Sequence, residues 1–177
     1  MRTKETALSE RMKSEAIDLG LCQKWTEEWK VGTPKDEMVR KFIRGIDFCI
    51  EHDWPSVQVI KRDFGDVIHN HGVYADENVE AYNAPMVILN GECVADLEYT
   101  WTAAGEVYVR HNSEANIHVK GVARCFVSVY DKGEVNVECD EGARCFVYLY
   151  GGCVKKELGD GSIVIRDKRK GSDNEKE

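Results

Sequence analysis

The sequence has no long apolar run. Nothing in its 177 residues approaches the roughly 18 consecutive apolar positions that a membrane span needs. The stretch from Met1 to Lys13 alternates charged and small polar residues, with no apolar core of signal-peptide length. The expectation is a cytoplasmic location and no membrane partner. Positive charge is also scarce: 24 Lys plus Arg stand against 32 Asp plus Glu, a formal net charge of -8. Nucleic-acid phosphates need clustered Lys and Arg, so a nucleic-acid partner is not expected. The seven cysteines (Cys22, Cys49, Cys93, Cys125, Cys139, Cys145 and Cys153) contain no C-x-x-C pair, so a thioredoxin-like centre or zinc knuckle lacks its usual spacing. Their odd number, without an export signal, favours reduced thiols over a disulfide framework. Also missing are G-x-S-x-G, the Walker loop and the Rossmann fingerprint, and no motif implies a catalytic residue or a cofactor.

What is present is ordinary globular composition, 42% hydrophobic and 32% charged, in a chain long enough for one domain or two small ones. The expected fold class is α+β: a helical region over 1–84, a β-solenoid over 85–166 and a charged, disordered tail over 167–177. That tail begins with the basic cluster Asp167 to Lys170 and ends GSDNEKE.

From Lys4 to Leu19 the apolar residues Leu8, Met12, Ala16 and Leu19 recur at helical spacing, and Gly20 stands where a left-handed C-cap is needed. Trp25 and Trp29 fall four apart, on one face of a second short helix, where both rings should pack in the core. Thr33-Pro34-Lys35-Asp36-Glu37 reads as a helix start, with Thr33 as the cap and Pro34 in the first turn. That helix presents Met38, Phe42, Ile46, Cys49 and Ile50, and should stop near His52 to Trp54, ahead of Pro55. Ser56 is placed to cap another short helix with Val57, Ile60 and Phe64 inward. Two helices carrying Lys61 and Arg62 outline a helix-turn-helix DNA reader. Any two packed helices give that outline, however, and Asp36, Glu37, Asp47, Glu51 and Asp53 nearly cancel the basic residues. Asp63-Phe64-Gly65 has no kinase context, and His69-Asn70-His71 merely spells the name of a nuclease family whose residues lie far apart in sequence.

The second half repeats every ten residues. Val87, Leu97, Val107, Ile117, Val127, Val137 and Val147 form an aliphatic column. Two residues on stand Leu89, Tyr99, Val109, Val119, Val129, Cys139 and Leu149; two residues earlier stand Pro85, Ala95, Gly105, Ala115, Cys125, Val135 and Cys145, mostly small. Three alternate positions facing one way describe a strand of about five residues, and Asn90-Gly91, Asp131-Lys132-Gly133 and Gly151-Gly152 are turn formers. An antiparallel meander and a solenoid both fit. The outward residues favour the solenoid, because alternate units are largely apolar (Met86, Ile88, Tyr108, Phe126, Phe146, Tyr148) and the units between wholly polar. A twenty-residue alternation is what a two-sheeted coil requires. Ala123-Arg124-Cys125-Phe126-Val127 recurs as Ala143-Arg144-Cys145-Phe146-Val147, which would stack Phe126 on Phe146 and Tyr130 on Tyr150 about 4.8 Å apart. After Leu149 the register breaks, and Ile163 and Ile165 resume it out of phase in a final capping strand.

The face formed by Met86, Ile88, Tyr108, Phe126, Phe146 and Tyr148 is too apolar to stand in water uncovered. Either the N-terminal helices cover it, or it is a surface for self-association or a protein partner. On the polar face Glu98, His118 and Glu138 fall twenty apart, flanked by Asp96, Asn116 and Asn136. Such a ladder could bind a divalent metal or act as an acid and base pair, although charged ladders on a solvated sheet usually serve only solubility.

The short-period, aliphatic-rich coil resembles bactofilin-type polymerising domains in architecture, though the helical N-terminal half departs from their disordered tails. A period of ten contradicts the hexapeptide coil of left-handed acyltransferases, and polysaccharide-cleaving β-helices are longer and carry catalytic loops. RGIDFCIEHDWPS (Arg44 to Ser56), VILNGEC (Val87 to Cys93) and GEVYVRH (Gly105 to His111) together resemble a family of small proteins of Bacteroides-type bacteria, their phages and mobile elements. That resemblance implies a cytoplasmic, mobile-element setting and brings no activity or cofactor. The functional expectation is a non-enzymatic interaction or assembly protein. The alternatives are a metal-dependent or acid-base enzyme using the ladder and a DNA-binding regulator using Lys61 and Arg62.

Overall fold

A computed structural model describes residues 3–169 and divides the chain into two compact units, Met1–His71 and Gly72–Glu177. In the first unit, α1 (Lys4–Asp18) opens with the Thr3 hydroxyl accepting from the Thr6 amide. It closes as a Schellman turn: Gly20 adopts φ +99°, its N–H donates to the Ile17 carbonyl and that of Leu21 to the Ala16 carbonyl. The short α2 (Gln23–Glu28) ends before Trp29, which is buried and donates its indole N–H to the Ser9 hydroxyl at 3.1 Å, while Trp25 is half-buried beneath the Arg44 guanidinium. Thr33 does not cap the next helix. Its hydroxyl turns back to the Lys30 carbonyl at 2.7 Å, and Pro34 holds the cap position.

The helix expected to run on to His52 is two helices, α3 (Lys35–Arg44) and α4 (Ile46–Glu51), separated at Gly45. Ser56 does cap the next helix, accepting from the Val59 amide, but α5 (Val57–Val59) is a single turn that passes into a π-helical segment, Ile60–Phe64, and a 3-10 segment, Gly65–His71. Asp63 receives hydrogen bonds from Arg62 and Arg11, which hold its carboxyl down at about 2. Among the described residues no helix is long and apolar enough to cross a membrane.

The second unit is a β-solenoid with about twenty residues per coil. Its strands are β1 (Val73–Ala75), β2 (Asn78–Tyr82), β3 (Met86–Asn90), β4 (Val94–Tyr99), β5 (Ala104–Val109), β6 (Glu114–Val119), β7 (Arg124–Val129), β8 (Glu134–Cys139), β9 (Arg144–Leu149), β10 (Cys153–Leu158) and β11 (Ser162–Asp167). Odd strands form one parallel sheet, β1-β3-β5-β7-β9-β11, and even strands the other, β10-β8-β6-β4-β2. The stack thus begins at Val73, ahead of the Pro85 boundary read from the repeat, and Asp167 belongs to its last strand. The remainder of the expected tail, residues 170–177, lies outside the described residues.

Each coil lays one strand in each sheet. Val107 pairs with Val87 and Val127, and Ile117 with Leu97 and Val137. The three inward columns are buried from Val87 to Leu149, and Pro85 is the exposed exception. Burial of each Val, Ile or Leu contributes about 1.5 to 3 kcal/mol before the entropy of ordering is subtracted. A fourth column, Cys93, Ala103, Ser113, Ala123, Gly133, Ala143 and Cys153, is uniformly small because it sits where the coil turns inward. A Cβ on Gly133, for example, would lie 2.8 Å from the Val109 carbonyl oxygen. Beyond Leu149 the coil shortens: β10 carries a bulge at Lys155, and β11 pairs Ile163 with Cys145 and Ile165 with Val147.

One inward position is filled by its neighbour. Gly105 has no side chain because the Tyr99 ring occupies the space, and a Cβ there would lie 2.2 Å from Tyr99 Cε1. The Tyr99 hydroxyl is buried without a hydrogen-bond partner among the described residues, and desolvation pushes its pKa up strongly. An unpartnered buried hydroxyl costs about 1–3 kcal/mol. Tyr99→Phe is therefore expected to raise the urea midpoint, and Gly105→Ala to lower stability by about 1–3 kcal/mol through overpacking. Equilibrium unfolding of both variants checks this pair, and an unchanged Gly105→Ala midpoint would contradict the packing.

Candidate functional site

The twenty-residue coil turns sequence spacing into two outer faces with different chemistry. On the even-numbered sheet Glu98 pairs with His118 and His118 with Glu138, so the expected ladder forms in register. Beside it runs a second ladder: Asn116 Nδ2 donates to Asp96 Oδ1 at 2.8 Å, and Asn136 Nδ2 to Asn116 Oδ1 at 2.8 Å. These rows floor an open groove of about 700 Å3, rimmed by Glu80, Tyr82, Lys156 and Leu158.

The ladder does not act as one cluster. Lys120 Nζ donates to Glu98 Oε2 at 3.0 Å, and that hydrogen bond raises the lysine pKa. His118 Nε2 lies 2.9 Å from Asp140 Oδ1 and 3.9 Å from Glu138 Oε1. The potential metal ligands are therefore His118, Glu138 and Asp140, whose donor atoms lie within 4.8 Å of one another, with Glu98 drawn away. Lys120 and Asp140 sit just past strand ends. Their signal in the sequence was the same twenty-residue spacing, read two positions further on.

A histidine and two carboxylates suit a borderline divalent ion such as Zn2+. Yet the groove is open, the three ligand side chains are partly exposed, and the Lys120 charge is felt by both Asp140 and Glu138. The ammonium competes with any cation for those carboxylates.

The odd-numbered sheet presents rings and guanidinium groups. Phe126 and Phe146 stack with centroids 5.1 Å apart, and Tyr130 and Tyr150 stack at 4.9 Å, as the repeat implied. Tyr108 lies parallel to Tyr130 at 6.5 Å, and the Arg166 guanidinium lies 6.0 Å above the Tyr148 ring. Arg124 and Arg144 pair in register, both exposed. Of the expected interaction residues, Met86, Tyr108, Phe146 and Tyr148 are half-buried and Ile88 is fully buried, while Phe126 is 38% and the corner residue Tyr150 48% exposed. The arginines were visible in the repeated Ala-Arg-Cys-Phe-Val motif but stood out only once the register aligned them.

Lys61 and Arg62 lie on the π-helical segment, and Arg62 is engaged by Asp63 at 2.7 Å. No regular α-helix carries them as a recognition helix would. The chain matches no protein-family model, no curated protein and no solved structure.

Removing the Lys120 charge removes a cation that competes for the Glu138 and Asp140 carboxylates. Lys120→Ala is therefore expected to bind Zn2+ more tightly than the wild type in calorimetric titration. Equal affinities would mean that Lys120 does not compete for the site.

Proposed function

We propose that the solenoid unit is a non-enzymatic binding scaffold whose aromatic, arginine-bearing face takes a protein surface, either a second copy of this chain or another protein. The observation that carries this reading is the Phe126–Phe146 stack, with Phe126 exposed and Phe146 half-buried, flanked by the paired and exposed Arg124 and Arg144. Aromatic rings and arginine are the side chains most enriched where binding energy concentrates in interfaces. The rings are held by the coil and lose little freedom on binding, which lowers the entropic cost of association.

Charge favours self-association. The opposite face carries Glu80, Asp96, Glu114 and Glu138, besides Glu98 and Glu134, which pair with Lys120 and Lys155, so the arginine rows of one copy would meet a surface with an excess of acids on another. A heterologous contact of that kind propagates unless the rotation closes a ring. The resemblance to mobile-element proteins would give such a scaffold a cytoplasmic setting.

The test is the solution mass across a concentration series for the wild type and the Phe126→Ser, Phe146→Ser double variant. A dimer or larger species that becomes a folded monomer in the variant supports assembly through this face. A wild-type oligomer whose mass the variant leaves unchanged would overturn the assignment of the face. A wild type that stays monomeric at every concentration would rule out self-association.

A further inference from the structure

The helical unit contains a cavity that the solenoid reading does not use. Its volume is about 340 Å3, within the range of small-molecule sites. Trp25, Trp29, Phe42, Phe48, Trp54 and Phe64 contribute its aromatic lining. Two of these rings are fixed from behind, because the Trp29 indole N–H donates to Ser9 and that of Trp54 to Glu15 Oε2 at 3.0 Å. Their ring N–H groups are thus satisfied away from the cavity, and their apolar faces remain for an occupant.

Lys41 breaks the apolar lining. It stands on α3 between Met38 and Phe42, is only 9% exposed, and its ammonium makes no hydrogen bond or ion pair with any described residue. With most of its side chain out of water, this lysine gains more from an anion seated in the cavity than a fully solvated lysine would. Asp47, the one acidic residue in the lining, is exposed.

We propose that this cavity binds a small amphipathic carboxylate, with its aromatic or alkyl body among the tryptophans and its anionic head on Lys41. The volume lies at the lower end of the range for small-molecule sites, the scale of a phenylpropanoate. The site belongs to the helical unit alone and stands or falls independently of the scaffold reading.

The tryptophans provide the readout. Three of the four line the cavity, and the fourth, Trp101, lies in the solenoid unit and is 78% exposed. A Trp101→Phe background therefore confines the fluorescence signal to the helical unit. Full-length protein of this background is titrated with 3-phenylpropanoate and with the uncharged 3-phenylpropan-1-ol. The carboxylate is expected to bind at least about tenfold more tightly, as one charge-assisted contact allows. Lys41→Met should erase that preference while leaving the affinity for the alcohol unchanged, and Lys41→Arg should preserve it. No saturable change with either probe, equal affinity for the two, or a preference that survives Lys41→Met in a variant with wild-type circular dichroism would each overturn the proposal. If Lys41→Met fails to fold, the comparison of the two probes on the Lys41→Arg variant decides.

Discussion

Constant coil length is the constraint on which the solenoid depends. Each coil donates its backbone N–H groups to the coil before it: Arg110 to the Leu89 carbonyl at 3.1 Å, Tyr130 to Val109 at 2.9 Å and Tyr150 to Val129 at 2.9 Å. A parallel ladder of this kind tolerates no drift, because a one-residue slip would turn every inward side chain outward. The corners enforce the count. His111 and Asp131 adopt φ near +57° and +55°, a conformation disfavoured for side-chain-bearing residues. Their side chains repay it: His111 Nδ1 accepts from the Gly91 amide at 2.9 Å, and Asp131 Oδ2 from the His111 amide at 3.0 Å. Each corner thereby caps the one beneath it.

That constraint produces the two faces. When every residue lies over the one twenty positions earlier, like stacks on like, and a pairwise preference becomes a row. Asparagines share an amide ladder, phenylalanines and tyrosines stack their rings, and arginines are placed over arginines. Adjacent like charges are unfavourable unless something neutralises them, which is why the polar face interleaves Lys120 and His118 with its acids. Among the described residues the aromatic face carries no comparable acidic row, only Glu106 in register with Phe126, and Arg124 and Arg144 are the reason a negatively charged partner surface is proposed for it.

The legible part of the fold was the part that keeps the period. From Val87 to Leu149 the inward columns, the two-sheeted coil and the ring stacks could all be read from spacing. β1 and β2 could not, because Val73 pairs with Ile88 and Asn78 with Val94, offsets shorter than a full coil that leave no repeat to detect. In the polar face the ladder Glu98, His118, Glu138 was legible as a row, but its chemistry was not. Lys120 and Asp140 reach into it from the corners and regroup the charges into Lys120–Glu98 and His118–Asp140. Lys41 was invisible for a different reason: a lysine in an amphipathic helix normally marks the solvated side, and only the packing of α3 among the tryptophans buries it.

The parallel twenty-residue register is tested most directly by nuclear Overhauser contacts in the folded full-length protein. Stacked parallel coils give cross-peaks between the Phe126 and Phe146 rings, between the Tyr130 and Tyr150 rings, and between the backbones of Val107, Val127 and Val147. Backbone contacts that instead link each strand antiparallel to the next one in sequence, such as β7 with β8, would contradict it and remove both faces at once.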